Sequence, residues 1–107
     1  MKLLLDENLP KDFKREFQDF EAYTIREKNW NGLTNGKLIR SMVADGFDVL
    51  LTLDKNLQHP QNLERTPIRV IVLQAHSNRL EDLLPLVPMI HDALSSDVGG
   101  VITIGYR

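Results

Sequence analysis

The sequence predicts an α/β fold: a three-layer α/β/α sandwich around a mostly parallel central sheet of about five strands. The first observation is that several apolar runs of strand length contain almost no polar residue, which is typical of strands buried on both faces. The second is that helical patterns separate these runs, and alternating strands and helices build a parallel sheet through right-handed crossovers. At 107 residues the chain is expected to form one domain, residues 1–107.

The first two predicted strands enclose a helical segment and complete a strand–helix–strand unit. Residues 2–5 form the first apolar run, and residues 20–26 alternate and are rich in strand-forming side chains. Between them, residues 11–19 follow a proline and place Phe13 and Phe17 on one face of an amphipathic helix.

A loop rich in glycine and asparagine then leads to a second helix, which is predicted over residues 36–44. Asn35 is expected to cap this helix and Gly46 to stop it. Residues 47–53 form the third predicted strand. A long polar loop over residues 54–67 follows, and loops of this length in small domains are often functional.

The last third of the chain supplies two more strands and a helix. Residues 68–73 form the fourth predicted strand, and residues 79–94 carry apolar side chains at helical spacing. Pro85 and Pro88 interrupt that pattern, so the helix either is kinked there or begins near Pro85. Residues 101–104 close the sheet as a short fifth strand, for which an antiparallel edge position is left open.

Composition limits the classes of function. The formal net charge of −2 argues against a protein that binds nucleic acid through bulk positive charge, but carboxylates that hold a divalent cation are compatible with an RNA-cutting enzyme. With no cysteine, any metal must be held by oxygen or histidine. No apolar run approaches the roughly 20 residues of a membrane helix, and no signal-peptide pattern is visible, so a cytoplasmic protein without a membrane partner is expected.

Acidic and amide side chains follow the first and the third predicted strands. Asp6, Glu7 and Asn8 come directly after the first strand, and Asp54 and Asn56 come after the third. Parallel sheets bind ligands outside the carboxyl ends of their strands, so Asp6 and Asp54 are expected at one edge if their strands are neighbours. Two carboxylates there can hold Mg²⁺ or Mn²⁺, with water and a substrate phosphate completing the octahedron. The sequence therefore predicts Asp6 and Asp54 as metal ligands and catalytic residues.

Other polar residues are expected to complete this site. Glu7 would be a third catalytic acid if it turns inward at the strand end. Asn8, Asn35 and Asn56 would line the site as substrate-binding groups, either as neutral ligands or as donors to water and phosphate. The alternative is that the two aspartates only cap the helices and turns that follow them.

Two further features have both a structural and a functional interpretation. Lys11, Lys14 and Arg15 lie on the outer surface of the first predicted helix, where they either solvate it or face a phosphate. Trp30, the single tryptophan, either packs over the edge of the core or stacks on a nucleic-acid base. In proteins generally, the structural interpretation is the more common one in both cases.

Two stretches of the chain resemble a known family. They are Leu-Leu-Leu-Asp-Glu-Asn-Leu-Pro at residues 3–10 and the T-x-D motif Thr-Leu-Asp-Lys-Asn-Leu at residues 52–57. Both resemble stretches of the PIN-like proteins of the DUF5615 family. Residues 30–38 look like the start of the helix that follows the second strand in one branch of that family. With the loop at residues 61–63, the resemblance covers essentially the whole chain.

The resemblance implies a PIN-like α/β/α fold and an RNA-cleaving activity. In the wider PIN superfamily, which includes toxins of type II toxin–antitoxin modules, acids at these strand ends bind Mg²⁺ or Mn²⁺ and cut single-stranded RNA. Asp6 matches the acid after the first strand, and Asp54 matches the acid of the T-x-D motif. A cognate antitoxin is implied as a partner. A homodimer is a second implied partner, because many PIN proteins dimerise.

Asn35 and Asn56 stand where the PIN pattern usually has acids. The leading hypothesis is a metal-dependent ribonuclease, the toxin of a toxin–antitoxin pair, in which these amides ligate through their oxygens. The second hypothesis is a catalytically silent PIN-like module that binds RNA or protein, and the two asparagines favour it.

Overall fold

The computed structural model of the chain describes residues 1–55, 67–96 and 100–105. A sheet of five parallel strands forms its centre, in the order β2-β1-β3-β4-β5. The strands are β1 (Lys2–Leu5), β2 (Glu21–Thr24), β3 (Val49–Thr52), β4 (Arg69–Gln74) and β5 (Val101–Gly105). The predicted α/β fold is therefore confirmed.

The sequence leaves open an antiparallel edge position for the last strand, and this prediction is wrong. β5 pairs in parallel with β4, with Ile71 opposite Ile102 in the register. The helical connection between these strands returns the chain to the edge of the sheet from which β4 started, and a strand that begins there must run in the same direction.

Helical segments connect the strands. The α-helices are α1 (Asn35–Ala44), α2 (Leu80–Leu83) and α3 (Val87–Leu94). In the described part of the chain, 3₁₀ helices at Lys11–Phe17, Arg26–Lys28 and Leu84–Leu86 accompany them. None of the helices in the described part of the chain is long and apolar enough to cross a membrane.

The first helical segment differs from its prediction in type and length. It is the 3₁₀ helix Lys11–Phe17 rather than an α-helix over residues 11–19. Tight three-residue turns bound it, because the N–H of Phe13 donates to the carbonyl of Pro10 at 3.0 Å and the N–H of Phe20 to that of Phe17 at 3.0 Å. Phe13 and Phe17 are nevertheless both fully buried, as their spacing predicts.

Two other helix predictions are settled by the structure. Thr34, not Asn35, caps α1, since its hydroxyl accepts a 3.4 Å hydrogen bond from the N–H of Lys37. The segment over residues 79–94 is interrupted rather than starting late: the 3₁₀ turn that contains Pro85 separates α2 from α3.

Alternating side chains of the strands build one core cluster on each face of the sheet. Leu3 and Leu5 belong to a cluster that includes Phe13 and Phe17 of the first 3₁₀ helix and the apolar side chains of α2 and α3. Leu4 belongs to the other cluster, which contains the buried side chains of α1. Strands buried on both faces explain why their sequences are unbroken apolar runs.

The strand order reverses between β1 and β3. From β1 the chain moves outward to β2, then crosses back past β1 to form β3 and continues in the opposite direction to β4 and β5. In the order of the sheet, the strand that follows β1 and the strand that follows β3 therefore lie on opposite sides of this pair. In doubly wound sheets this switch point is the expected place for a ligand.

Candidate functional site

The switch point brings together the ends of β1 and β3. In the parallel register Leu5 lies opposite Leu51, and the N–H of Asp6 continues the ladder by donating to the carbonyl of Leu51 at 2.9 Å. The predicted adjacency of these two strands is confirmed. Asp6 and Thr52 therefore emerge side by side at the carboxyl edge of the sheet.

The hydroxyl of Thr52 links the two predicted metal ligands. It donates a 2.6 Å hydrogen bond to Oδ2 of Asp6 and accepts a 3.0 Å hydrogen bond from the N–H of Asp54. Thr52 is fully buried, so water does not compete for these bonds. This residue fixes the Asp6 carboxylate relative to the backbone of Asp54. The T-x-D motif contains it, but the sequence alone does not show which group its hydroxyl binds.

The Asp6 carboxylate is held from a second side. Its Oδ1 accepts a 2.8 Å hydrogen bond from the N–H of Glu7, and its backbone carbonyl accepts from the N–H of Leu9 at 3.0 Å. These bonds fix the turn that leaves β1. A carboxylate accepts about four hydrogen bonds in total, so the two bonds from Glu7 and Thr52 leave the Asp6 carboxylate able to accept from a ligand or to bind a cation.

Glu7 and Asn8 have different surroundings. Glu7 is exposed and borders the same groove as Asp6. The side-chain oxygen of Asn8 accepts from the N–H of Leu53 at 3.4 Å, and its backbone carbonyl accepts from the side-chain amide of Asn78 at 3.4 Å. Asn8 therefore connects the loops that follow β1, β3 and β4, and its predicted contact with substrate stays a prediction.

The two remaining predicted residues are Asn35 and Asn56. Asn35 is exposed in the first turn of α1, where it lies one residue after the cap. Asn56 lies outside the described residues, as does most of the loop predicted over residues 54–67. Both assignments stay predictions.

The donor set of the site suits a hard divalent cation. Within residues 1–55, 67–96 and 100–105, no three acidic or histidine side chains gather into a metal-binding group. Asp6 and Asp54 are the two acids that the Thr52 hydroxyl connects at the switch point, through the carboxylate of the first and the backbone of the second. Mg²⁺ typically keeps several waters and is bound by one or two carboxylates together with substrate phosphates. All-oxygen ligands also match Mg²⁺ and Mn²⁺ in hardness. Carboxylate oxygens are thus the kind of ligand that the implied metal takes, and the metal site itself stays a prediction.

A groove of about 670 Å³ opens beside Asp6, between the first two 3₁₀ helices. Four cationic side chains line it: Lys11, Lys14, Arg15 and Arg26. Two of them are neutralised locally, because Lys14 lies 3.0 Å from Glu27 and Arg15 lies 3.8 Å from Asp12. Lys11, Lys14 and Arg15, which the sequence singles out, therefore line the same groove as the predicted catalytic acid Asp6.

Glu27 is tied firmly to its surroundings. The backbone N–H of Thr24, and then the ammonium group of Lys14, hold the pKa of Glu27 below its ordinary value. The bond from Thr24 is 2.9 Å long, and the N–H of Glu27 in turn donates to the hydroxyl of Thr24 at 3.2 Å. This reciprocal pair fixes the turn after β2 in the manner of a capping box. It keeps the charge of Lys14 compensated.

Trp30 packs over the edge of the core. Its ring centroid lies 5.6 Å from that of Phe47, and the ammonium group of Lys28 lies 5.4 Å from the Trp30 ring. The same ammonium group lies 2.7 Å from Asp45, and this contact is the main cause that lowers the pKa of Asp45. The structural interpretation of Trp30 therefore accounts for its position.

Arg26 was not recognised from the sequence. It was assigned to the end of the second strand, but β2 ends at Thr24 and Arg26 begins a 3₁₀ helix at the rim of the groove. A basic residue after a strand carries no distinctive pattern. The only signal is its place at the carboxyl end of a strand, where parallel sheets bind ligands.

Comparison with known proteins adds no assignment. The chain matches no protein-family model. The curated proteins and the solved structures likewise give no significant match. The resemblance to the DUF5615 family stays a prediction, and the function has to be argued from the geometry of this site.

Proposed function

We propose that the protein is a Mg²⁺- or Mn²⁺-dependent ribonuclease of PIN-like type that uses Asp6 and Asp54 at the switch point. The single observation that carries the proposal is the bridge through Thr52, which joins the Asp6 carboxylate to the backbone of Asp54. This bridge lies at a topological switch point, where parallel sheets bind ligands. The fold does not require it to hold β1 and β3 together, because these strands already pair through their backbones.

The chain's own residues have distinct tasks in this proposal. Asp6 and Asp54 hold the cation, and Thr52 acts as a positioning residue that keeps Asp6 in one orientation. Glu7, which is exposed at the same groove, is placed to accept a proton from an attacking water. When bound, the cation supplies Lewis-acid polarisation of a phosphoryl oxygen and lowers the pKa of water. Asn8 holds the loops around the site in register.

A second function is favoured by a specific contact. Both carboxylate oxygens of Asp6 accept hydrogen bonds from the protein itself, one from Glu7 and one from Thr52. A carboxylate that caps a turn in this way also suits a silent PIN-like module that binds RNA or protein without cutting it.

The test is cleavage of a single-stranded RNA in the presence of Mn²⁺ by the wild type, Asp54→Asn and Asp6→Asn. Loss of one ligand charge is expected to reduce cleavage by at least about 100-fold, since metal-assisted charge stabilisation amounts to several kcal/mol and each 1.36 kcal/mol is a factor of ten. Asp19→Asn is the matched control, because Asp19 is an exposed aspartate outside the groove. Circular dichroism checks that each variant is folded. Equal cleavage by Asp54→Asn and the wild type would refute the assignment of Asp54 as a metal ligand of a ribonuclease. Metal-independent RNA binding without cleavage would favour the silent module.

A cognate antitoxin protein, a homodimer and a cytoplasmic location belong to the same proposal and are supported by the resemblance alone. Growth arrest on expression of the wild type, absent for Asp54→Asn, would support the toxin assignment. Normal growth with active enzyme present would contradict it.

A further inference from the structure

We infer that the groove beside Asp6 binds a phosphate of single-stranded RNA that neighbours the scissile phosphate, through Lys11 and Arg26. This inference rests on the proposed function, because Asp6 and Asp54 define where the scissile phosphate lies. It adds a second binding position, on the β2 side of the switch point.

The first argument is the balance of charge inside the groove. Among its four cations, Lys14 and Arg15 have carboxylate partners within the groove itself, Glu27 and Asp12. Lys11 and Arg26 are exposed and form no ion pair within the part of the chain that the structure describes. Lys11 and Arg26 are thus left available to an anionic ligand, and the two further acids of the groove, Asp6 and Glu7, serve the cation and the attacking water in the proposed function.

The second argument is the position of these two side chains. Lys11 begins the 3₁₀ helix that follows β1, and Arg26 begins the one that follows β2. The chain therefore presents both at the carboxyl edge of the sheet, which is the edge that carries Asp6. Because β2 and β1 are neighbours, the two cations and the candidate catalytic acid border one groove.

The third argument is the shape and lining of the groove. Its volume of about 670 Å³ lies within the roughly 300–1,000 Å³ of sites that enclose a small molecule. Leu9 and Ile25 contribute apolar surface to it, and Gln18 and Asn31 contribute neutral polar groups. Apolar surface beneath a base and cations at the rim for its phosphate are the features that a nucleotide needs.

The experiment measures RNA binding without metal, so that it does not depend on catalysis. A 3′-fluorescein-labelled single-stranded RNA octamer is titrated in EDTA with the wild type and with Lys11→Gln/Arg26→Gln, and fluorescence anisotropy is followed at several salt concentrations. We expect the affinity to fall about tenfold or more, and the slope of log K against log salt to become shallower by about 0.7, because single strands contribute about 0.7 for each phosphate that is neutralised and the groove binds one.

Lys37→Gln/Arg40→Gln is the matched control. It also removes one lysine and one arginine, and both residues are exposed on α1, which packs on the other face of the sheet from the first 3₁₀ helix. This control is expected to bind RNA like the wild type. An unchanged salt slope in the groove variant, or an equal loss in the control variant, would overturn the inference.

A second readout separates the neighbouring phosphate from the scissile one. In Mn²⁺, kcat/KM of the groove variant should fall much more on the octamer than on a dinucleoside monophosphate, which contains only the scissile phosphate. An equal fall on both substrates would place Lys11 and Arg26 at the scissile phosphate and contradict the assignment. If the wild type binds the octamer through the groove but never cleaves it, the proposed function fails and the binding site stands.

Discussion

Replacing Thr52 by valine removes one hydroxyl group while it keeps the branching and nearly the size of the side chain. The hydroxyl is fully buried, donates to the Asp6 carboxylate at 2.6 Å and accepts from the N–H of Asp54 at 3.0 Å. A hydrogen bond to a charged group contributes about 1.5–3 kcal/mol and one between neutral groups about 1 kcal/mol. We therefore expect Thr52→Val to lower the free energy of unfolding by about 2–4 kcal/mol. For a small domain that is a large fraction of the total stability.

Thr52→Ser is the control for this prediction. Serine keeps the hydroxyl and loses one buried methyl group, for which a cost of about 1 kcal/mol is typical. Urea unfolding is followed by the fluorescence of Trp30, which is partly buried against Phe47 and should report loss of the fold, and by circular dichroism. If Thr52→Val is no less stable than Thr52→Ser, the bridge between the two acids contributes nothing measurable, and the geometric basis of the site is refuted.

Two further predictions concern the framework around the site. The guanidinium group of Arg69 donates to the carbonyls of Ala93, Leu94 and Ser96 at 3.2, 3.4 and 2.7 Å, so it caps the end of α3. Arg69→Met should lower the free energy of unfolding in urea by about 2–3 kcal/mol, and Arg69→Lys should lower it less. Equal stability of the two variants would contradict the cap. Because the pKa of Glu27 is lowered from 4.5 in the folded protein, its ionised form stabilises the fold above that pH, and this contribution is lost as the pH falls through the lowered pKa. Glu27→Gln should accordingly lose less stability than the wild type between about pH 5 and pH 3, and parallel losses in both proteins would argue against the role of its carboxylate.

The strands were predictable because burial on both faces leaves a strong pattern. In runs such as residues 3–5 every side chain enters one core cluster or the other, so no polar alternation interrupts them. The nearness of Asp6 and Asp54 follows from the same property, since both come directly after such runs and parallel neighbours end at one edge. The order of the strands, with its reversal between β1 and β3, is a property of the packed sheet. No local pattern of the sequence predicts it.

Details that depend on one residue or one hydrogen bond were harder to predict. Thr34 and Asn35 are both good capping residues, and which of them caps α1 depends on the residue at which the preceding loop ends. The spacing of Phe13 and Phe17 fits an α-helix, but the segment forms a 3₁₀ helix that buries both rings. Arg26 was placed in a strand because β2 ends two residues earlier than its composition suggests.

The charge of the protein gives a last constraint on how it would bind RNA. With a formal net charge of −2, long-range attraction to a polyanion is weak, so affinity must come from local contacts. Inside the groove two of four cations are already compensated by Glu27 and Asp12, which leaves Lys11 and Arg26 as the groove's own contribution. One neutralised phosphate corresponds to a salt slope of only about −0.7 for a single strand. Binding without metal should therefore be weak and only mildly salt-dependent. A cation at Asp6 and Asp54 should strengthen it, because the cation adds positive charge where the chain itself is acidic.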